Sequence, residues 1–315
     1  MNSRWLSLDP SLSAPLQTSD GSAGVMSPDL IYDVGMHNGD DTAYYLHRGY
    51  RVVAVEANPV LAAEALARFA REVSTGALTI LNIGISGRDG DSPFFICDEV
   101  SEWSSLDPAI ASRNNVAHHE IVIQCHRFGS ILRKFGTPYY LKLDIEGSEI
   151  HCLLDLEPPA LPRYISFEMT PKSPESLTWV HELGYRQFKL ISQHHFLPVE
   201  YPPSPEQMHY EKELRFLKSR NLLSRVARRL VSKAWLRRLA DRTRTQNRWV
   251  FPQGSSGPFG EGLPGRWQSL DEMLETLGCA NAARCRNEPS LFWREQEYSF
   301  WADFHAKRDD RTGQQ

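Results

Sequence analysis

An acidic, glycine-containing segment near the N-terminus has the residue types of a nucleoside-binding turn. Residues 33–42 read Asp-Val-Gly-Met-His-Asn-Gly-Asp-Asp-Thr and join a predicted strand to a predicted helix. Glu56 ends the next predicted strand, 21 residues after Gly35. In doubly wound folds a ligand lies over this first turn, and an acid at this separation accepts hydrogen bonds from ribose hydroxyls. The pattern therefore predicts a bound nucleoside.

The spacing of the glycines helps to distinguish between a dinucleotide and another nucleoside as the ligand. A dinucleotide site uses G-x-G-x-x-G and places a pyrophosphate on the helix N-terminus, whereas here Gly35 and Gly39 are separated by three residues. Asp40 and Asp41 occupy the first helical turn, where two carboxylates repel a pyrophosphate. S-adenosylmethionine has no phosphate and carries a cationic sulfonium, so the turn favours it over NAD. The alternative is that the two aspartates only complement the helix dipole.

A second acidic cluster follows a strongly apolar segment. Residues 139–149 read Tyr-Tyr-Leu-Lys-Leu-Asp-Ile-Glu-Gly-Ser-Glu, which predicts a buried strand ending in Asp144, followed by Glu146 and Glu149 around a glycine. Carboxylates at the carboxyl end of a central strand face the crevice where ligands bind. The alternative is that both glutamates belong to the first turn of the next helix, and for Glu149 we favour it.

The elements that must position these clusters alternate along the chain. Further strands are predicted at 30–34, 51–56, 78–83, 93–97, 120–124 and 164–169, and helices at 41–48, 58–71, 127–135, 147–155 and 174–183. This alternation predicts an α/β protein with a mostly parallel sheet covered on both faces. Residues 185–192 and 247–252 are predicted to form a last antiparallel pair.

Several of these segments resemble the FkbM family of S-adenosylmethionine-dependent methyltransferases. The segment 139–149 resembles the family's K-x-D-x-E-G-x-E signature. Similar to other family motifs are Asp33-Val-Gly with Asn38-Gly39, Val55-Glu-Ala-Asn-Pro59, Asn82-Ile-Gly-Ile-Ser86, Ser104-Ser-Leu106, Ile165-Ser-Phe-Glu168 and, as the final strand, Asn247 to Phe251. The resemblance implies a seven-stranded, mostly parallel, Rossmann-like class I methyltransferase fold whose last strand is antiparallel. It also implies methyl transfer, usually to a hydroxyl oxygen.

Carried over to this sequence, the resemblance implies a set of site residues. The cofactor-binding residues are Asp33, Gly35, His37, Asn38, Gly39, Glu56, Ala57, Asn82, Ile83, Gly84 and Asp144. In this set Glu56 holds the ribose and residues 82–84 lie near the adenine. Asp144 and Glu146 are the catalytic candidates, because a hydroxyl nucleophile must lose a proton to a base within reach. No metal is predicted, since no spacing requires one, and Lys142 is expected to pair with Glu168.

Composition and charge set the wider organisation of the 315-residue chain. With 41% hydrophobic and 23% charged residues it is typical of soluble globular proteins. We predict a disordered arm (1–28), a methyltransferase domain (29–253) with a basic helical insertion (205–245), and a loop with an aromatic-rich C-terminal extension (254–315). Five cysteines without a C-x-x-C pair, and no signal or spanning segment, predict a cytoplasmic location.

The charge is concentrated in one segment. Residues 212–248 carry 13 Lys and Arg against two acids, while the whole chain has a net charge of −4. This basic amphipathic segment predicts either a lid or oligomer helix, or contact with an anionic acceptor or an anionic membrane surface. No nucleic-acid-binding motif accompanies it, so no nucleic acid partner is expected. The expected acceptor is a hydroxyl on a sugar, glycolipid or secondary metabolite; the alternative is a non-catalytic nucleoside-binding module acting through its basic helix.

Overall fold

The computed structural model describes residues 26–170, 172–193, 196–205, 208, 245–246, 248–252, 254–286 and 301–309, without the side chains of 280–286. Nearly all of the predicted disordered arm lies outside these residues. The same holds for nearly all of the basic segment 212–248, so its predicted role stays a prediction.

The described residues form twelve strands and eight α-helices. The strands are β1 (Met26–Val34), β2 (Arg51–Val55), β3 (Leu78–Leu81), β4 (Gly84–Ile85), β5 (Gly90–Cys97), β6 (His118–His126), β7 (Thr137–Leu143), β8 (Tyr164–Glu168), β9 (Tyr185–Ser192), β10 (Thr245–Gln246), β11 (Trp249–Val250) and β12 (Ala302–Arg308). The helices are α1 (Asp40–His47), α2 (Pro59–Arg68), α3 (Ala70–Ser74), α4 (Pro108–Ala111), α5 (Phe128–Phe135), α6 (Glu149–Leu154), α7 (Ser173–Glu182) and α8 (Leu270–Arg286). None of these helices has the length and apolar character that a membrane span requires.

Seven strands form the central sheet, in the order β3-β2-β1-β7-β8-β12-β9. Every pairing from β3 to β8 is parallel, and β12 is antiparallel to both of its neighbours. The predicted fold class, a seven-stranded Rossmann-like sheet with one antiparallel strand, is therefore confirmed. A separate three-stranded sheet, β4-β6-β5, lies beside it.

Local sequence signals explain the ends of the first helices. Asn58 caps α2 by accepting a hydrogen bond from the backbone N–H of Val60, and Pro59 follows as the first helical residue. Gly49 follows α1 with a φ of 84°, the left-handed conformation that favours glycine at a helix end. The helix predicted over 58–71 is interrupted at Phe69, which separates α2 from α3.

The prediction for the final strand is wrong. Trp249 and Val250 pair with Thr245 and Gln246 in a short hairpin outside the central sheet. The antiparallel strand of the sheet is β12, about fifty residues later in the chain. The segment predicted as a C-terminal extension thus contains a central strand, and β1 begins at Met26, inside the predicted arm.

The two faces of the sheet are covered differently. One face packs against α5, α6, α7 and α8 around an aliphatic core. The other face meets α1 and an aromatic cluster that includes Phe251, Phe259 and Trp267. Phe259 stacks on Tyr140 of β7 with ring centroids 4.2 Å apart and nearly parallel planes. The C-terminal loop therefore covers this face of the sheet and brings its first residues to the carboxyl ends of the parallel strands.

Candidate active site

A cleft with an empty volume of about 780 Å³, partly open to solvent, lies at the carboxyl ends of β1, β2 and β7. Its walls come from the turn after β1, the end of β2, the loop after β7, the segment after β5 and the C-terminal segment. The lining residues are Gly35, Met36, His37, Asn38, Asp40, Asp41, Glu56, Ala57, Phe94, Ser101, Glu102, Ser104, Lys142, Asp144, Ile145, Glu146, Gly254, Ser255 and Trp301. This is the edge of an α/β sheet at which ligands bind.

The turn after β1 is shaped by its glycine. Gly35 has a φ of 85°, and its backbone N–H donates to the carbonyl of Val55 at 2.9 Å. A Cβ at this position would lie 1.8 Å from the backbone oxygen of Asp144. Only glycine allows the turns after β1 and β7 to approach so closely, and this approach forms the floor of the cleft.

Glu56 is buried at the end of β2 and is held by backbone donors. One carboxylate oxygen accepts from the N–H of His37 and the other from the N–H of Asn58, both at 2.8 Å. Burial raises the pKa of Glu56 to about 7, although both hydrogen bonds act in the opposite direction. Each carboxylate oxygen has a second lone pair, so Glu56 can still accept hydrogen bonds from a diol in the cleft.

Lys142 lies among three carboxylates beneath the cleft. Its ammonium nitrogen is 3.0 Å from Asp33 Oδ1, 3.5 Å from Asp144 Oδ2 and 3.6 Å from Asp41 Oδ2. Burial alone lowers the pKa of Lys142, but the attraction of the three carboxylates raises it well above its usual value. The lysine is therefore charged and orients the acids around it. The predicted pairing with Glu168 is wrong, because the ammonium pairs instead with Asp33 on the neighbouring strand β1 and with Asp41 and Asp144.

The two aspartates of the first helical turn have separate partners. The buried carboxylate of Asp41 accepts the backbone N–H of Ser256 at 2.9 and 3.1 Å, which attaches the C-terminal loop to α1. Burial raises the pKa of Asp41 to about 7, and Lys142 opposes this rise. Asp40 forms an ion pair of 3.0 Å with Arg68. Both aspartates still line the cleft.

The loop after β7 presents one glutamate to the cleft and uses another as an anchor. Glu149 accepts hydrogen bonds from the backbone N–H groups of Ile145 and Gly147, at 3.1 and 3.0 Å, so it holds the loop. Glu146, with a φ of 48°, lines the cleft and pairs with the guanidinium of Arg113. Burial raises the pKa of Glu146 to about 7, although Arg113 opposes this rise.

Two more acids stand opposite each other near the cleft, on neighbouring strands. Asp303 of β12 faces Glu168 of β8 in the register of the sheet. Burial, together with the charges of Glu146 and Asp144, raises the pKa of Glu168 to about 10. Burial and the charge of Asp144 raise the pKa of Asp303 well above its usual value. The carboxyl group of Glu168 is therefore protonated at neutral pH.

Asp303 and the C-terminal residues that line the cleft are absent from the predicted site, because residues 254–315 are predicted to be a loop and extension outside the methyltransferase domain. The available signal was the segment Ala-Asp-Phe-His-Ala-Lys-Arg, whose alternation is typical of a strand. Among the residues that the structure describes, no three His, Cys, Asp or Glu side chains are grouped so that they could hold a metal ion.

The structure places seven of the predicted site residues in one cleft. These are Gly35, His37, Asn38, Glu56, Ala57, Asp144 and Glu146. His37 reaches across the cleft, and its ring Nε2 lies 2.8 Å from the hydroxyl of Ser101.

The other five predicted residues do not line the cleft. Asp33 is buried below it and accepts a hydrogen bond from Thr42 at 2.6 Å. A Cβ on Gly39 would lie 2.6 Å from the ring of Phe69, so this glycine serves packing.

The remaining three residues of that group follow β3. Asn82 donates to the backbone carbonyl of Glu56 at 2.8 Å, which connects the ends of β2 and β3. Ile83 is buried in the aliphatic core. A Cβ on Gly84 would lie 2.6 Å from the sulfur of Cys125. These contacts are structural, and an adenine contact for residues 82–84 stays a prediction.

Comparison with known proteins gives one family. Residues 33–187 match the model of the methyltransferase FkbM domain. No curated protein matches the chain.

Several solved structures are similar to part of the chain. A precorrin-6y C5,15-methyltransferase from Geobacter metallireducens is 10% identical, with 53% of this chain and 70% of that chain covered and a TM-score of 0.29. A SAM-dependent methyltransferase from Geobacter sulfurreducens, in complex with S-adenosyl-L-homocysteine, is 12% identical, with 68% and 79% covered and a TM-score of 0.27. One from Thiobacillus denitrificans, in complex with the same ligand, is 11% identical, with 70% and 82% covered and a TM-score of 0.28. At these scores the likeness carries no weight of its own, and the fold rests on the strand order and directions given above.

Proposed function

We propose that this chain, an S-adenosylmethionine-dependent methyltransferase by its FkbM domain over residues 33–187, transfers the methyl group to a hydroxyl oxygen. The proposed acceptor is a sugar, glycolipid or secondary metabolite. Glu146 is the observation that supports an oxygen atom as the methyl acceptor, because it is a carboxylate with a pKa of about 7 on the wall of the cleft. A hydroxyl acceptor needs such a base, since its proton must leave as the oxygen attacks.

The residues of the cleft fit the cofactor. Glu56 would hold the ribose hydroxyls, and the turn at residues 35–38 would border the methionine part. Asp144 would receive the ammonium group. When bound, S-adenosylmethionine supplies a methyl group made electrophilic by a positively charged sulfur. The carboxylates of the cleft suit a ligand with two positive charges and no phosphate.

Glu146 is better placed than Asp144 to act as the base. Asp144 lies 3.5 Å from the ammonium of Lys142, so its carboxylate is already engaged in an ion pair. Glu146 is held by the guanidinium of Arg113, and its pKa near 7 lets it accept a proton at neutral pH and release it afterwards. We therefore assign proton removal to Glu146 and orientation of this base to Arg113.

The same charges argue against a nitrogen acceptor. An amine in an acidic cleft stays protonated, because neighbouring carboxylates raise its pKa. A protonated amine has no lone pair for attack on the methyl group. A hydroxyl is neutral at this pH and gains its nucleophilicity from the base.

The first test is calorimetric. We expect S-adenosylmethionine to bind with micromolar affinity and NAD to show no heat of binding. Binding of NAD but not of S-adenosylmethionine would contradict the assignment of the cleft.

The second test addresses the base. We expect Glu146→Gln to bind S-adenosylmethionine as the parent does, while release of S-adenosylhomocysteine in the presence of acceptor falls by about 10²- to 10⁴-fold. Glu120→Gln, an exposed glutamate on β6, is the matched control and should keep the parent rate. A Glu146→Gln variant with the parent rate would mean that another group removes the proton.

A further inference from the structure

We propose that Trp301 is the acceptor-binding wall of the cleft and that it selects an uncharged, hydroxyl-rich ring such as a sugar. This inference rests on the proposed function, because it assumes that the cleft carries out methyl transfer. It assigns to one residue of the C-terminal segment the choice of acceptor.

Trp301 lies at the cleft because of the direction of the strand that follows it. Trp301 immediately precedes β12, and an antiparallel strand begins where its parallel neighbours end. The backbone is held on both sides: Met169 donates its N–H to the carbonyl of Ala302, and Gln193 donates to that of Trp301, at 2.9 and 3.0 Å. The tryptophan therefore has a fixed position on the wall of the cleft.

Its place in the sheet puts Trp301 at the end of the cleft away from the ribose. From β2, which ends at Glu56, the order runs β2-β1-β7-β8-β12. β2 and β12 are therefore separated by four strand spacings, which is about 19 Å. Glu146 follows β7, between them. A methyl group delivered from the side of Glu56 therefore meets an acceptor held on the side of Trp301.

The lining of the cleft combines aromatic residues with hydroxyl-bearing ones. Trp301 and Phe94 belong to it together with Ser101, Ser104 and Ser255. A sugar ring has one face of C–H groups, which packs on an indole through dispersion, and a rim of hydroxyls, which form hydrogen bonds with polar side chains. The two kinds of surface in the cleft match these two kinds of surface on a sugar.

The charge of the cleft further restricts which class of acceptor can bind. Six carboxyl side chains line it, those of Asp40, Asp41, Glu56, Glu102, Asp144 and Glu146. One cation, Lys142, also lines the cleft. Two more, Arg68 and Arg113, pair with the lining acids Asp40 and Glu146. The acids of the cleft therefore outnumber these bases six to three. A carboxylate or phosphate on the acceptor would be repelled. This argues against the anionic acceptor that the basic segment 212–248 suggested.

Trp301 also lies outside the part of the chain that matches the family model. Residues 33–187 match it, whereas Gly254, Ser255 and Trp301 belong to the later segment. The cofactor side of the cleft thus comes from the matched domain, and this wall comes from a later part of the chain. Such a division is expected where acceptor choice is set separately from cofactor binding.

The test compares acceptors that share one ring. The probes are a neutral methyl glycoside and the matching uronic acid, with release of S-adenosylhomocysteine as the readout. We expect turnover of the neutral glycoside, and at least tenfold lower kcat/KM for the uronic acid. Equal or preferred turnover of the uronic acid would overturn the proposal, as would no turnover of any neutral glycoside by protein that binds S-adenosylmethionine.

Variants at position 301 then test whether Trp301 contacts the acceptor. We expect Trp301→Ala to raise KM for the glycoside at least tenfold and Trp301→Phe to raise it two- to threefold, with the Kd of S-adenosylmethionine unchanged for both. Trp267→Ala replaces another partly buried tryptophan that does not line the cleft, and should keep the parent KM. Weaker cofactor binding by Trp301→Phe would place Trp301 on the cofactor side and overturn the inference. If the parent protein fails to bind S-adenosylmethionine, the proposed function itself fails, and this inference with it.

Discussion

At the scale of single residues, Glu56 has two roles, one in the structure of the backbone and one in the binding of the cofactor. Its carboxylate anchors the backbone of His37 and Asn58 and also faces the cleft. Glu56→Ala would remove both anchoring hydrogen bonds as well as the ligand contact, whereas Glu56→Gln keeps one acceptor oxygen and so one of the two anchoring hydrogen bonds, which makes it the milder probe. Because it keeps one acceptor oxygen but loses the charge, we expect S-adenosylmethionine affinity to fall about 10- to 100-fold, or about 1.4–2.8 kcal/mol. Calorimetry measures this, and an unchanged Kd would show that the ribose lies elsewhere.

Glu146 predicts a pH dependence of the reaction. A base works in its deprotonated form, and the pKa of Glu146 is about 7. The value of kcat/KM should therefore rise tenfold per pH unit below pH 7 and level off above it. A pH profile of the parent enzyme with saturating cofactor measures this, and Glu146→Gln should lose the rise. A flat profile in the parent between pH 5.5 and 8.5 would contradict the assignment.

Glu168 predicts a stability of the protein that falls as pH rises. Burial and nearby carboxylates raise its pKa to about 10 in the folded protein, against 4.5 as its ordinary value. Between these values the unfolded chain releases the proton and the folded chain keeps it, so this group lowers the free energy of unfolding as pH rises. Glu168→Gln cannot ionise, so its Tm should exceed that of the parent by more at pH 8 than at pH 5.

The control for this effect is Glu64→Gln, which replaces an exposed glutamate on α2. Its Tm should differ from that of the parent by the same small amount at both pH values. A Glu168→Gln variant whose Tm difference does not grow with pH would mean that Glu168 is not held in its protonated form.

At the scale of elements, the contact between the turns after β1 and β7 depends on Gly35. Gly35 and Gly49 have almost the same φ, 85° and 84°, but only Gly35 faces a backbone atom where a Cβ would be. Gly49→Ala should therefore cost about 1 kcal/mol, the usual penalty for a left-handed alanine. Gly35→Ala adds a clash with the backbone oxygen of Asp144, so we expect it to cost at least 3 kcal/mol more. Urea denaturation of both variants measures the difference, and equal losses would refute the close contact.

The elements that the sequence predicted well are those with local signals. β1, β2 and β7 are short apolar runs that end at glycines or acids, and α2 begins at an Asn-Pro pair. Their order along the chain predicted the parallel part of the sheet, and the turns between them predicted most of the cofactor side of the cleft. Local pattern was enough for β1-β2, β2-β3 and β7-β8, because in each pair the strands are joined by one crossover; in the parallel part of the sheet, only the pairing of β1 with β7 joins strands far apart in sequence.

The last strand could not be predicted in the same way. β12 has Phe304 on the aliphatic face of the sheet, while Asp303 and His305 are buried on the other, so it lacks a continuous apolar run. The segment 247–252 looks more like a strand because it is apolar and closer to β9. What places β12 is pairing with two partners that are distant in sequence, and a local pattern does not contain that information.

At the scale of the whole molecule, the sheet depends on its final strand for continuity. β9 is joined to the rest of the sheet through β12, and the residues of β12 pair on both edges. Removing residues 301–315 should therefore detach β9, uncover the aliphatic core and abolish cooperative thermal unfolding. Removing only 310–315 should leave Tm within about 2 °C of the full chain, because β12 ends at Arg308. Differential scanning calorimetry distinguishes the two, and cooperative unfolding of the shorter fragment would show that β9 stays in place without β12.

The position of β12 has a consequence for how the protein is made. A ribosome finishes β9 at Ser192 but must add 109 more residues before β12 begins at Ala302. Throughout that interval β8 lacks its partner and β9 has no place in the sheet, so two strands present open hydrogen-bonding edges to other chains. The nascent protein is therefore most exposed to aggregation late in translation. Slower synthesis would lengthen that exposure, whereas a chaperone that covers strand edges until the C-terminus emerges should raise the yield of folded enzyme.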